Sequence, residues 1–245
     1  SISLSGGIDS SLVLGYIRKL FPNITIKAVS IKFSESIDET QDAKKIAEHF
    51  GAEHNILEVD NYLEILPSAI GITKMPFWDN HWYFISQYAS KKSKILASGD
   101  GGDEIFGGYT FRYEKFLSQI NPNSTPIEKV KAYLNCHERD WVIDQNEVFE
   151  NKSNFSWDKI HSILLPFFDN SLNPLGQVFL ADYNGKLRYN FSHVNSSLNN
   201  HFGLKSISPL LSNDLIPLLS HCDYQSKYNK SQNTGKIFLR KLLDN

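Results

Sequence analysis

Apolar residues along the first hundred positions recur at two alternating spacings. Leu12, Val13, Tyr16, Ile17 and Leu20 fall three and four apart, as on one helix face, just behind the strand end Ile2-Ser-Leu4. This predicts a strand, a tight loop and a helix. Ile24 to Phe33, rich in β-branched residues, predicts a second strand. Asp38 with Gln41 resembles a capping box, and Ala43, Ile46, Ala47 and Phe50 continue a helix that Gly51 can terminate. Asn55 to Val59 predicts a third strand, 62–72 and 80–92 two helices around Pro76, and Lys94 to Ser98 a fourth strand. Strands alternating with helices imply right-handed crossovers and a parallel sheet. After Tyr109 the strand pattern stops, and amphipathic stretches at 126–136, 157–168, 174–190, 209–221 and 235–243 predict helices. The Asn-rich spacer Asn195 to Asn200 reads as a solvated loop or helix end. The expected fold class is therefore α/β: a parallel-sheet region over 1–110, then an α-helical region over 111–245 that covers the crevice.

Composition sharpens this picture in three ways. With 245 residues, 41% apolar and 21% charged, the chain can bury a substantial core as one large or two smaller domains. Its net charge of -2 supplies no global positive field, so neither nucleic acid nor an anionic membrane is an expected partner. Cys136 and Cys222 lack metal-ligand or redox spacing and read as ordinary buried thiols. Neither a run of 18 apolar residues nor a signal-peptide pattern is present, which makes a cytoplasmic location the expectation. The chain starts at Ser1 without Met, and is expected to open inside a longer gene product.

Half of the 14 glycines sit in two short stretches, Ser5-Gly-Gly-Ile-Asp-Ser-Ser11 and Ser98-Gly-Asp-Gly-Gly-Asp-Glu-Ile-Phe-Gly-Gly-Tyr109. Each leaves a predicted strand at its carboxyl end, where open α/β sheets bind ligands. The first is not a Walker A loop, because no Gly-Lys-Ser/Thr follows the glycines. Its chemistry is still that of an anion site. Gly6 and Gly7 let backbone N–H groups approach phosphate oxygens, Ser5, Ser10 and Ser11 add hydroxyls, and the helix behind presents its positive end. Asp9 in such a nest would repel phosphate unless Mg²⁺ bridged them. Taken alone, the same loop also fits a plain strand-to-helix turn with Asp9 as N-cap. The second stretch alone fits an acidic turn, although not an EF-hand spacing.

Together the two stretches carry a resemblance. Ser5-Gly-Gly-Ile-Asp-Ser10 resembles the signature of the PP-loop ATP pyrophosphatases, and Ser98 to Tyr109 closely resembles the second motif of the asparagine synthetase family's synthetase domain, a group that includes the β-lactam synthetases. Asp38-Glu39, Ala43, Ala47, Glu48, His49, Gly51 and His54 are similar to the family's segment ahead of its third strand, and Pro76-Phe-Trp-Asp79 to its Pro-Phe-x-Asp turn. The resemblance implies a PP-loop nucleotide-binding fold and an ATP-dependent amide-forming ligase. A carboxylate, with aspartate the expected one, would become an acyl-adenylate with release of pyrophosphate, and ammonia would then attack it. It implies ATP contacts from Leu4, Ser5, Gly6, Gly7, Asp9, Ser10, Ser11, Val29, Ser98 and Gly99, with Val29 against adenine. Mg²⁺ would be held by Asp9 and Asp103, and Asp100 would face the reacting end of the substrate. The family's glutaminase domain has no counterpart in this chain, so ammonia would come from such a domain or subunit, and the resemblance allows a homo-oligomer.

The helical half follows the family less closely. Asp182, Pro209-Leu-Leu and Gly235-Lys-Ile-Phe-Leu-Arg240 sit where it has an Asp, a Pro-Phe-Leu-Asp turn and a Gly-Lys-x-x-Leu-Arg helix. Lys236, a further catalytic candidate, and Arg240 lie four apart and fit either phosphate or an acidic neighbour. Where the family has Asp-Arg and Glu-x-Arg, building its acceptor side, this chain has Ser196-Ser197 and Lys205-Ser-Ile207. The aromatic group Phe77, Trp78, Trp82, Tyr83 and Phe84 reads as core rather than a base-stacking surface, and the eight histidines as structural. Two other readings stand beside the ligase: an RNA-modifying PP-loop enzyme, against which the charge counts, and a degenerate nucleotide-binding domain without catalysis.

Overall fold

The β-branched run forms strand β2 (Lys27–Phe33), and its neighbours are set by register. The short β1 (Ile2–Ser3) pairs with it in parallel, Ile2 opposite Ala28, and β3 (Glu53–Val59) pairs along its whole length, Lys27 opposite Glu53 through Phe33 opposite Val59. β4 (Ile95–Ala97) lies on the other side of β1, with Ile2 opposite Ala97. A fifth strand, β5 (Lys205–Ile207), completes a parallel sheet in the order β3-β2-β1-β4-β5. The structure, a computed structural model, describes residues 1–33, 38–76, 81–137 and 156–243.

Helices α1 (Ile8–Leu20), α2 (Thr40–His49), α3 (Leu66–Thr73) and α4 (Trp82–Ser90) connect the first four strands. Gly51, at φ 62°, ends α2 as the sequence predicts. Asp38 caps the helix differently from the expected box: its Oδ1 accepts from the Thr40 amide at 2.9 Å. Alternation along the strands sends Ala28 and Ala97 into a core beneath α1 and α2, and Val29 and Leu96 into a second core with Trp82, Ile85 and Ala89 of α4. Trp82 is thus core, as predicted; Phe77, Trp78 and most of the Pro76 to Asp79 turn lie outside the described residues.

Beyond β4 come α5 (Gly102–Phe106), α6 (Thr110–Gln119), α7 (Pro126–Asn135), α8 (Trp157–Phe168) and α9 (Pro174–Ala181). A π-helical segment (Asp182–Phe191) joins α9 to α10 (Ser192–His201), followed by α11 (Leu215–Ser220) and α12 (Ile237–Leu243). Tyr113, Phe116, Val130, Tyr133, Phe168 and Val178 give this half a core of its own. Two expectations change here. The helical half returns β5 to the sheet, a strand of three exposed residues that carries no apolar pattern to announce it. Asn195 to Asn200 is no solvated loop, because α10 runs through it to its end at His201 and buries Asn195 and Asn199. Cys136 is buried, its Sγ donating to the Ala132 carbonyl at 3.1 Å, and Cys222 is half-buried. Among the described residues, no helix is long and apolar enough to cross a membrane.

Candidate active site

The pairing of Ile2 with Ala97 places the carboxyl ends of β1 and β4 side by side. The chain leaves β1 towards β2 on one side and later returns to β4 on the other, so this is the switch point of the sheet, where a crevice opens. Both glycine stretches begin there, just beyond the paired positions.

The first loop is folded by its own hydroxyls. Ser5 Oγ and Ser10 Oγ lie 3.0 Å apart, Ser10 Oγ accepts from the Ser5 amide at 3.1 Å, and Ser11 Oγ donates to the Gly7 carbonyl at 2.7 Å. Ser10 and Ser11 are buried, so these two hydroxyls shape the loop. Leu4, also buried, anchors the loop by donating its amide to the Val29 carbonyl at 2.9 Å. No side chain caps α1 at Gly7, which leaves the positive end of a 13-residue helix open. A cavity of about 410 Å³ lies at that end, lined on one side by Gly6, Gly7 and Ile8 and on the other by Thr234, Gly235, Lys236 and Arg240.

The second loop packs directly onto the first. Gly99 lies against the backbone of Asp9 and Ser10, and a Cβ at Gly102 would stand 2.2 Å from Asp9 Cγ. Only a glycine there lets the two loops approach. A Cβ at Gly108 would similarly stand 1.8 Å from Asp103 Oδ1. Asp9 and Asp103 thereby converge on one ammonium: Lys236 Nζ is 2.6 Å from Asp9 Oδ2 and 2.8 Å from Asp103 Oδ1. Lys236 enters from the far end of the chain. The Asn229 to Thr234 turn delivers it, its amide donates to the Phe106 carbonyl at 3.1 Å, and its φ of 57° is a left-handed conformation that costs a non-glycine residue roughly 1–3 kcal/mol.

The electrostatics follow from burial. Burial pushes the Asp9 carboxyl up to about 6, against the pull of Lys236. It would push Lys236 down, yet the Asp103 and Asp9 carboxylates hold that ammonium above its ordinary value. Burial also raises Asp100, and lifts Glu104 to about 7 although the Tyr109 hydroxyl donates to it at 2.6 Å. Asp9 Oδ1 is buried without a hydrogen-bond partner. That orphaned oxygen and the convergence of two carboxylates fit a hard divalent cation completed by substrate phosphates. Among the described residues, no group of three or more His, Cys, Asp and Glu is placed to hold a metal alone.

Of the residues singled out in the sequence, the structure gathers Leu4, Ser5, Gly6, Gly7, Asp9, Ser10, Ser11, Ser98, Gly99, Asp100, Asp103 and Lys236 around this crevice. It does not bring in the Val29 side chain, which is 1% exposed in the core against α4. Lys236 meets its acidic neighbours and the cavity at once, and Arg240, its Nε donating to the Gly235 carbonyl at 3.0 Å, lines the same cavity. Sequence reasoning missed Thr110, Asn233 and Thr234 in that wall. Their only signal was adjacency to Tyr109 and to Gly235-Lys236.

Known proteins match this chain as follows. The family model described as asparagine synthase matches residues 1–245. A Methanocaldococcus jannaschii protein named "putative asparagine synthetase (glutamine-hydrolyzing) 2" is 35% identical over 111 residues, 43% of this chain and 22% of that protein. Asparagine synthetase (glutamine-hydrolyzing) 1 of Bacillus subtilis is 32% identical over 137 residues, 54% of this chain and 20% of the relative. The Gallus gallus asparagine synthetase (glutamine-hydrolyzing) is 30% identical over 130 residues, 44% and 21% of the two chains. The chain thus spans about a fifth of the length of the curated relatives it matches.

Proposed function

The chain belongs to the asparagine synthase family, and on that premise we propose that it catalyses ATP-dependent amide formation. The observation that carries this reading is the meeting of Asp9, Asp103 and Lys236 beside a cavity at the open N-terminus of α1. ATP binds with its phosphates at the Gly6 and Gly7 amides, which supply fixed dipoles for the charge that develops on pyrophosphate. Mg²⁺ would be held by Asp9 and Asp103 and would supply charge neutralisation for the triphosphate and for the leaving pyrophosphate. Lys236, the cation at that point in the structure, adds a fixed positive charge next to the same oxygens.

The acceptor, aspartate by the family's namesake reaction, attacks the α-phosphorus through its carboxylate oxygen. The bond to pyrophosphate breaks, and an acyl-adenylate results. Ammonia then attacks the acyl carbon, AMP departs with the electron pair of the broken C–O bond, and the nitrogen sheds a proton. Asp100, whose carboxyl is raised above its ordinary value by burial, faces this reacting end and accepts that proton. The relatives are named glutamine-hydrolyzing, which supports a glutaminase domain or subunit as the ammonia source. A cytoplasmic setting belongs to the same proposal.

Asp103→Asn is the test. ATP/pyrophosphate exchange in the presence of Mg²⁺ is expected to fall at least about a hundredfold, with an unchanged circular dichroism spectrum. Full retained exchange overturns the assignment of Asp9 and Asp103.

A further inference from the structure

At the family's charged acceptor-side positions this chain has Ser196, exposed with its Oγ donating to the His193 carbonyl at 3.2 Å, the half-buried Ser197, and Lys205 and Ile207, exposed on β5. The same helix nevertheless reaches the site. Asn195 and Asn199, one turn apart on α10, are 5% and 0% exposed, and Asn195 meets the second glycine loop at Asp100. Asn195 Nδ2 donates to Asp100 Oδ2, and Asn199 Nδ2 donates to Asn195 Oδ1. Asn199 Nδ2 also donates to Ser206 Oγ of β5 at 3.1 Å, while its Oδ1 accepts from the fully buried Ser86 Oγ of α4 at 2.7 Å.

We infer that Asn195 is a positioning residue for Asp100, its amide held N–H-forward by Asn199. This inference rests on the ligase reading given above, in which the Asp100 carboxylate meets the reacting end of the substrate. Buried amides are retained where their hydrogen bonds are made, and a satisfied chain of them fixes one orientation. Here the chain runs from α4 and β5 through α10 to a carboxylate on the loop after β4. Without Asn195, Asp100 loses one of the two side-chain donors, Ser98 and Asn195, that hold its charged form among the described residues. The charged groups facing it are His81 at the start of α4 and Asp9 across the crevice. A misplaced proton acceptor slows the aminolysis step and leaves nucleotide binding alone, since Asn195 is not among the residues that wall the cavity.

The test compares wild type with Asn195→Leu, which keeps the branching of the side chain and removes the amide, in the full chain with ¹³Cγ-labelled aspartate. Asp100→Asn assigns the resonance. The Asp100 carboxyl of Asn195→Leu is expected to titrate at higher pH than in wild type, because a donor to its charged form is gone. In parallel, Mg-ATP affinity is expected within about twofold of wild type and kcat for amide formation lower by about tenfold, with KM for the amine little altered. An unchanged Asp100 titration overturns the inference. Asn195→Ser gives the same reading if the leucine variant does not fold. If wild type binds no ATP, the ligase reading fails, and the titration still decides whether Asn195 holds Asp100.

Discussion

At the scale of single residues, the site is made by what is missing as much as by what is present. Asp9 can reach Lys236 only because position 102 lacks a side chain. A glycine in open space makes the contrast: a Cβ at Gly71 of α3 would meet nothing within 4 Å. Gly102→Ala is therefore expected to destabilise the fold by about 1–3 kcal/mol through overpacking against Asp9, whereas Gly71→Ala is expected to be neutral or stabilising by up to about 1 kcal/mol. Urea unfolding of both variants measures this, and equal effects would refute the packing argument. Sequence reasoning picked out Gly102 through its place in a glycine cluster. It had no means of telling that Gly102 meets Asp9, because 93 positions separate them and the contact exists only after β1 and β4 pair.

Among elements, a buried polar junction ties α6, α7 and the π-helical segment together. His137, just beyond α7, accepts from Arg112 Nη1 of α6 at 3.0 Å and donates its other ring nitrogen to the Tyr133 carbonyl at 2.8 Å. Tyr133 Oη donates in turn to the fully buried Asp182 at 2.7 Å. Burial, reinforced by the Arg112 charge, pushes His137 down to about 4 from an ordinary 6.5. The unfolded chain then takes up a proton first as pH falls, so the fold loses stability between pH 6.5 and 4, by up to about 3 kcal/mol for this one group. His137→Gln keeps an acceptor and a donor without titrating. It is expected to flatten that stretch of the stability curve, measured by urea unfolding at about pH 6.5 and about pH 4.5; an unaltered slope would place the acid sensitivity elsewhere. None of this network was legible in the sequence, where each histidine read only as structural.

At the scale of the whole molecule, the crevice is assembled from both halves: α1 and the two glycine loops from one, Asn233 to Arg240 from the other. A ligand there holds the halves together, so Mg-ATP at about a hundred times its dissociation constant is expected to stabilise the chain by about 2.7 kcal/mol. The rise in thermal midpoint checks this. ATP with EDTA should stabilise less, and an equal rise without the divalent cation would argue against a bridging metal.

What the sequence determined by itself is local or nearly so. β-branched runs and helical spacings located β1 to β4 and most helices, and the two glycine stretches singled out Asp9, Asp100 and Asp103 as candidates, because each stretch is contiguous in the chain. Tertiary structure alone decided the rest. It returned Lys205 to Ile207 to the sheet, set Lys236 between Asp9 and Asp103 from 227 positions away, withdrew Val29 into the core, and turned Asn195 and Asn199 from an apparent spacer into a relay to Asp100. Each of these depends on pairing between distant segments, which the spacing of residues within one segment does not encode.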